Sequence, residues 1–287
     1  MSTFPIELLP TIKKAMETPF TSNGKTIGWH VCITTQAGYM GGGVNADRNN
    51  ARKIAIAEIL ERKSVNDINH SPLRSEFKLD FSPSTCGFAA GFESRTTRLR
   101  SVSEAIERWA WSKWIDDGYF ISEVSVSPNS LSDIAKLLLS EFDQVKFYLI
   151  HLNQSEILDF PKQFFFGAAI GFKNGGAFPG SRISGMASDI WEHALVEAWR
   201  HQIIFNDKKN KQDLEAPYDR IIEFGNDGAQ ATAQIDSADL STWPKPVLLM
   251  EKRLNDFLKD PNRFEIWRCL AKDYIGWELG AKNRFVY

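Results

Sequence analysis

Apolar positions change period repeatedly along this chain. Two-residue alternation or compact β-branched and aromatic runs predict strands at Ile27–Thr34 (IGWHVCIT), Tyr119–Val126, Val145–Leu152 (VKFYLIHL), Gln163–Phe172 and Phe264–Ala271, with a short glycine-interrupted strand at Thr85–Phe92. Helical spacing predicts amphipathic helices at Glu7–Met16, Ala51–Lys63 with Asn49 or Asn50 as cap, Thr97–Ile115, Leu131–Phe142, Asp189–Ile204 and Val247–Lys259. Asn23-Gly24 and Pro128-Asn129-Ser130 read as turns, and Gly38–Gly43 as a chain break. Asn66–Pro83 reads as a polar connection, Gly171–Gly185 as a glycine-rich loop, and the mixed-charge stretch Lys208–Ser241 as a mobile excursion. Strands and helices mix without a regular βαβ period, which favours an α+β fold with a largely antiparallel sheet. No composition shift marks a boundary, so residues 1–287 read as a single domain.

Two of the predicted helices share a grammar. ARKIAIAEILER and TRLRSVSEAIER both end in Glu-x-x-Glu-Arg, at Glu58, Glu61, Arg62 and at Glu104, Glu107, Arg108. Positions i and i+3 share a helical face, so each carboxylate pair projects one way. Paired like charges repel, and they become useful when a hard divalent cation such as Mg2+ sits between them with polyphosphate completing its shell. The plain structural alternative is an i,i+4 Glu–Arg pair worth ~0.2–0.5 kcal/mol on a solvated helix. A third unit, HALVEAWRH, carries Glu197 and Arg200, flanked by His193 and His201, a row that could also bind zinc. The lead-ins Gly87–Phe92 (GFAAGF) and Gly167–Phe172 (GAAIGF) are nearly interchangeable, as a pseudo-repeated strand–turn–helix unit requires.

Composition narrows the classes. Lys plus Arg number 34 against 36 Asp plus Glu, a net charge of −2, so no global field favours nucleic acid. The longest apolar runs fall far short of the ~18 residues of a membrane span, and the N-terminal segment lacks a signal-peptide core. Cys32, Cys86 and Cys269 are odd in number and widely spaced, unlike a disulfide framework or zinc site, which suits a reducing cytoplasm. Cys86, in the glycine turn, reads as a small buried filler or as an exposed thiol.

At these residues the chain resembles the YcaO family. That family is known for a glycine turn leading into a Glu-x-x-Glu-Arg helix, followed by a second such unit. Gly41-Gly42-Gly43 with Glu58, Glu61 and Arg62 match the first, and Cys86–Gly91 with Glu104, Glu107 and Arg108 the second. Phe165–Arg200 looks like the later strand and helix, and the resemblance is clearest over residues 27–202. It implies an α+β YcaO-like domain holding ATP and Mg2+, with Glu58, Glu61, Glu104 and Glu107 on metal and Arg108 on phosphate; Glu197 and Arg200 transfer by one helix match. It implies phosphorylation of a peptide backbone amide oxygen, then attack by a neighbouring Cys, Ser or Thr side chain or by an external nucleophile. The products it implies are azolines, thioamides or amidines in a ribosomal peptide.

The chain departs from the pattern at several points. Gly41–Gly43 lacks the lysine often found there, and Phe92 and Thr96 stand where the family often has an Asn and a Glu for nucleotide and metal. The two paired-acid helices are 104 − 58 = 46 positions apart, a short interval for the family, and Phe285-Val286-Tyr287 is not proline-rich. A leader-peptide-binding or catalytic partner protein would act in trans, and a homodimer is compatible with the reading. The alternative is a non-catalytic YcaO-like subunit that binds a precursor peptide or scaffolds a catalytic homologue.

Overall fold

The computed structural model describes residues 12–153, 157–211, 218–257, 264–276 and 284–285. The chain forms two compact units, Met1–Arg98 with Lys252–Arg268, and Leu99–Glu251 with Cys269–Tyr287.

In the first unit β1 (Ile12–Ser22), β2 (Lys25–Thr35) and β3 (Met40–Asn45) make an antiparallel sheet in that order. Asn23 and Gly24 turn β1 into β2 with φ of 49° and 72°, the left-handed conformation of a two-residue hairpin. Val31 and Ile33 of β2 meet Ala51, Ala55 and Ile59 of α1 (Arg48–Asn69). The helix expected at residues 7–16 is corrected: Ile12–Met16 lie in β1, and residues 7–11 lie outside the described residues. A ten-residue helix is marginal alone, whereas here β2 offers a full ladder, with Met16 opposite Cys32. The break expected at residues 38–43 is corrected too, because Gly41–Gly43 run inside β3. Asp47 caps α1 by accepting from Asn50 N at 2.8 Å, in place of the expected Asn49 or Asn50.

Beyond α1 the expected polar connection is a succession of turns with a buried lining. Phe77 and Leu79 pack with Phe88, Phe264 and Ile266. Arg268 of β10 (Glu265–Ala271) fastens this segment by donating to Phe77 O and, at 2.6 Å, to Ser82 O, with its guanidinium 4.8 Å from the Phe88 ring centre. β4 (Phe88–Gly91) is the outer strand of a sheet ordered β4-β10-β9, where β9 is Leu248–Arg253, and pairs antiparallel with β10 from Gly91↔Glu265 to Phe88↔Arg268. The helix expected over residues 247–259 is thus β9 followed by one 3-10 turn, Leu254–Phe257; residues 258 and 259 lie outside the described residues.

The second unit contains most of α2 (Ser94–Ile115) and an antiparallel sheet ordered β5 (Ser122–Val124), β6 (Gln144–Asn153), β7 (Gln163–Lys173) and β8 (Gly176–Ser184). The expected glycine-rich loop is corrected: Asn174 and Gly175, at φ 50° and 83°, form a tight hairpin, and most of the rest is β8. α3 (Asp133–Leu139) is capped by Ser132, and α4 (Trp191–Lys208) packs along β8 and β7. The expected mobile excursion instead holds α5 (Tyr218–Asn226) and α6 (Gly228–Asp236), while residues 212–217 lie outside the described residues. Trp109, Trp111 and Trp114 of α2 are buried; Trp111 stacks on Trp114 at 5.1 Å and meets Phe166 and Phe285 edge-on. β1 with β2, β2 with β3, β4 with β10, and β5 to β8 in succession pair antiparallel, as the α+β reading expects. Among the described residues no helix is long and apolar enough to cross a membrane.

Candidate functional site

Three of the singled-out glutamates do the same thing: each caps an amide of an outermost strand. On β3, Gly41 and Gly43 bring the sheet so near α1 that a Cβ on either would lie 2.0 Å from a helix carbonyl, Ala55 O or Ala51 O. At that range Glu58 Oε2 accepts from Gly42 N at 2.7 Å, while Oε1 takes Arg62 Nη2 at 2.6 Å. One turn along α1, Glu61 Oε1 accepts from Ala90 N of β4 at 2.9 Å. In the second unit a Cβ on Gly180 would lie 2.0 Å from Ala194 O, and Glu197 Oε2 accepts from Ser181 N at 3.2 Å. The offsets coincide: 55 − 41 and 194 − 180 are both 14, and 58 − 42 and 197 − 181 are both 16. The pseudo-repeat is therefore a physical register between strand and helix.

That register corrects one alignment. The strand that serves α4 as β3 serves α1 is β8, not the Gly167–Phe172 segment, which lies in β7. Gly167 instead faces the start of α4, where a Cβ would come 2.7 Å from Ile190 Cγ2.

Glu58 and Glu61 belong to the first unit, and Glu104, Glu107, Arg108, Glu197 and Arg200 to the second. In the second unit the carboxylates gather around Arg108, whose guanidinium lies 3.8 Å from Glu104 Oε1 and 3.8 Å from Glu107 Oε1. Glu107 is buried and accepts from the Ser181 hydroxyl at 2.7 Å; that hydroxyl accepts from Trp111 Nε1, also at 2.7 Å. Burial works against the Glu197 anion, but His193 at 3.3 Å, Arg108 and the Ser181 N–H hold it well below the usual carboxylate range. Arg200, half-buried on α4, adds its charge near His201.

Glu104 differs. Burial drives its pKa up to about 7; Arg108 and Arg100 oppose the rise, and Glu107 and Glu197 add to it. A carboxyl whose pKa rises from 4.5 to about 7 on folding costs nothing below 4.5, destabilises the fold progressively as pH climbs from 4.5 to 7, and carries its full penalty above that. Its side chain keeps 31% of its surface, so solvent screening reduces the penalty to the order of 1 kcal/mol. Glu104→Gln should therefore raise Tm by roughly 2–4 °C at pH 8 and leave it unchanged at pH 4. A fall in Tm at pH 8 would contradict this electrostatic account.

The histidine row does not close on a metal. His201 Nδ1 lies 2.6 Å from Pro179 O, and since a carbonyl only accepts, Nδ1 carries the proton. Burial lowers the His201 pKa. Among the described residues no three His, Cys, Asp or Glu side chains stand in the arrangement of a formed metal site. Cys86 is buried, as a small filler would be. Phe92 is half-exposed with its ring 4.9 Å from that of Phe264. Thr96 is spent on the helix start: its N–H donates to Glu93 Oε2 at 2.7 Å and its hydroxyl to Glu93 O at 3.2 Å. Trp111 stands four residues after Glu107, so helical spacing already puts it on the face of the acids. Ser181 is beyond sequence reasoning, because a serine in a glycine-rich run carries no signal until the fold joins it to Trp111 and Glu107.

No protein-family model matches the chain, and no curated protein matches it by sequence. Solved structures do. A YcaO from Methanopyrus kandleri, bound with AMPPCP and Mg2+, superposes with a TM-score of 0.64 over 98% of this chain and 91% of its own, at 12% identity. The chain has the YcaO fold. The same fold aligns with the E. coli microcin synthetase McbBCD complex with pro-MccB17 bound, at TM-score 0.59 and 11% identity over 91% of this chain and 88% of that one. A heterocyclase in complex with substrate and cofactor gives 0.56 at 9% identity, over 93% of this chain and 50% of the heterocyclase. The likeness is one of fold: YcaO architecture is kept at identities where few side chains coincide.

Proposed function

We propose that this chain is a YcaO-type enzyme that uses ATP and Mg2+ to activate backbone amides of a ribosomal peptide in the cytoplasm. Residues 1–287 are read as one YcaO-like domain, and a partner protein in trans presents the substrate. The observation that carries this reading is the group of Glu104, Glu107 and Glu197 around Arg108, with Glu104 raised to about 7 by burial and by its neighbours' charges. A cation beside Glu104 would offset the cost of burying its charge and the repulsion from Glu107 and Glu197. The donor set suits Mg2+, which takes one or two protein carboxylates and fills its shell with phosphate oxygens and water. It does not suit an all-protein cage, in keeping with the lack of a closed ligand group among the described residues.

In this reading Glu58, Glu61, Glu104 and Glu107 are the metal-holding carboxylates, with Arg108, Glu197 and Arg200 towards nucleotide. Bound Mg-ATP would supply the phosphoryl group that makes the amide oxygen a leaving group. Arg108, placed between two carboxylates, would neutralise phosphate charge, and the buried surroundings would strengthen that attraction relative to water. Calorimetry with Mg2+ and AMPPCP should show binding to the wild type and a loss of more than about tenfold in Glu104→Gln. No heat of binding at millimolar nucleotide would end the proposal.

A second reading is supported by Phe92 and Thr96, and by the strand amides that Glu58, Glu61 and Glu197 already cap. It is a non-catalytic subunit that binds the precursor peptide or scaffolds a catalytic homologue. It expects a stable heteromeric complex on purification and full pathway activity from Glu104→Gln in reconstitution; a strong loss of activity would exclude it.

A further inference from the structure

We propose that Ser181, backed by Trp111, is a positioning residue that fixes Glu107 of α2 relative to Glu197 of α4; this deepens the nucleotide-site reading and rests on it. Ser181 serves both carboxylates at once, through different atoms. Its backbone N–H donates to Glu197 Oε2 at 3.2 Å and its hydroxyl donates to Glu107 Oε1 at 2.7 Å.

The direction of the hydroxyl is imposed. Trp111 Nε1 lies 2.7 Å from Ser181 Oγ, and an indole N–H can only donate. The serine oxygen is therefore the acceptor in that contact, and its one proton is left for Glu107. Trp111, Ser181 and Glu107 are all buried, so water does not compete to reorient the hydroxyl. Gly180, next in the chain, sets the separation of strand and helix that brings Ser181 N to Glu197. A design for packing alone would place apolar groups here, because a buried carboxylate is costly unless hydrogen-bonded. Keeping Glu107 buried but aimed is the arrangement expected of a group that supports a ligand site.

The two functions of Ser181 can be separated. Ser181→Ala keeps the backbone N–H to Glu197 and deletes only the hydroxyl, whereas Trp111→Phe keeps the hydroxyl and deletes the donor that aims it together with part of a buried ring. AMPPCP binding would be measured by calorimetry with Mg2+ and again with EDTA, and the Trp111 indole N–H followed by 15N NMR. Ser181→Ala should weaken binding with Mg2+ by roughly 10- to 100-fold, change binding in EDTA by less than about twofold, and shift the Trp111 signal. Trp111→Phe should lose less, with the same dependence on Mg2+. Wild-type affinity in Ser181→Ala, with the Trp111 signal displaced, would overturn the proposal; so would an equal loss with and without Mg2+, the mark of a structural role. Should Ser181→Ala not fold, the ratio for Trp111→Phe decides. A wild type that binds no Mg-AMPPCP refutes the nucleotide-site reading itself, and this proposal with it, an outcome distinct from a wild type that binds and a Ser181→Ala variant that binds equally.

Discussion

Gly180→Ala is expected to destabilise the protein by about 3 kcal/mol or more, lowering Tm by roughly 6–12 °C. The added Cβ would stand 2.0 Å from Ala194 O and 2.6 Å from Ala198 N, both backbone atoms that no rotamer change can move. Relief requires β8 and α4 to separate, which also stretches the Ser181–Glu197 hydrogen bond. Gly118→Ala is the control. Gly118 has φ 77° but nothing within 4 Å of a Cβ, so only backbone strain of about 1–2 kcal/mol applies there. Thermal melts in which Gly180→Ala loses no more than Gly118→Ala would refute the close-approach argument.

Removing Asp116 should be comparably severe. Its carboxylate meets Arg284 Nη2 at 2.6 Å, and Arg284 is only 5% exposed. Asp116→Ala takes away the carboxylate facing that guanidinium, which keeps its hydrogen bond to Ile275 O at 3.3 Å, and breaking such a buried pair costs about 3–5 kcal/mol. Phe285, the next residue, donates its N–H to Gln234 Oε1 at 2.6 Å and packs edge-on against Trp111 and Phe224, so damage at Asp116 reaches the core of the second unit. The double variant Asp116→Ala/Arg284→Met should recover most of the loss, because the charge and its partner leave together. Denaturant unfolding would show this, and a single variant within about 1 kcal/mol of wild type would mean that the pair contributes little.

The sequence made the alternating strands legible: β2, β6, β7 and β10 all fall where apolar periodicity predicts them. Glycine misled because it reports two things. At residue 175 it marks a turn, but at 41, 43 and 180 it marks a strand lying against a helix, and only the distance separates the cases. The first part of β1, Ile12–Met16, reads as helix because the strand's side chains are mostly exposed on both faces, leaving no alternation to see. The carboxylates were legible through repetition. Their role as strand caps was not, because Gly42, Ala90 and Ser181 contribute backbone N–H groups that any residue but proline would carry.

Glu104→Gln joins two of the expected outcomes, since the variant that should lose Mg-dependent nucleotide binding should also melt later at pH 8. That pairing is a common signature of functional carboxylates, which are held at some cost to the fold.

The amide caps have a further consequence, for assembly. Outermost strands usually offer unpaired N–H and C=O groups to which another chain can add a strand, a route both to peptide capture and to aggregation. On β3 and β4 that route meets Glu58 and Glu61. On β8 it meets Glu197 at the Ser181 amide and His201 at the Pro179 carbonyl, while Pro179 has no N–H to give. A peptide arriving in extended form would find the amides of Gly42, Ala90 and Ser181 already taken. An added strand would have to displace those carboxylates, and replacing the caps with alanine would leave the three amides open to it.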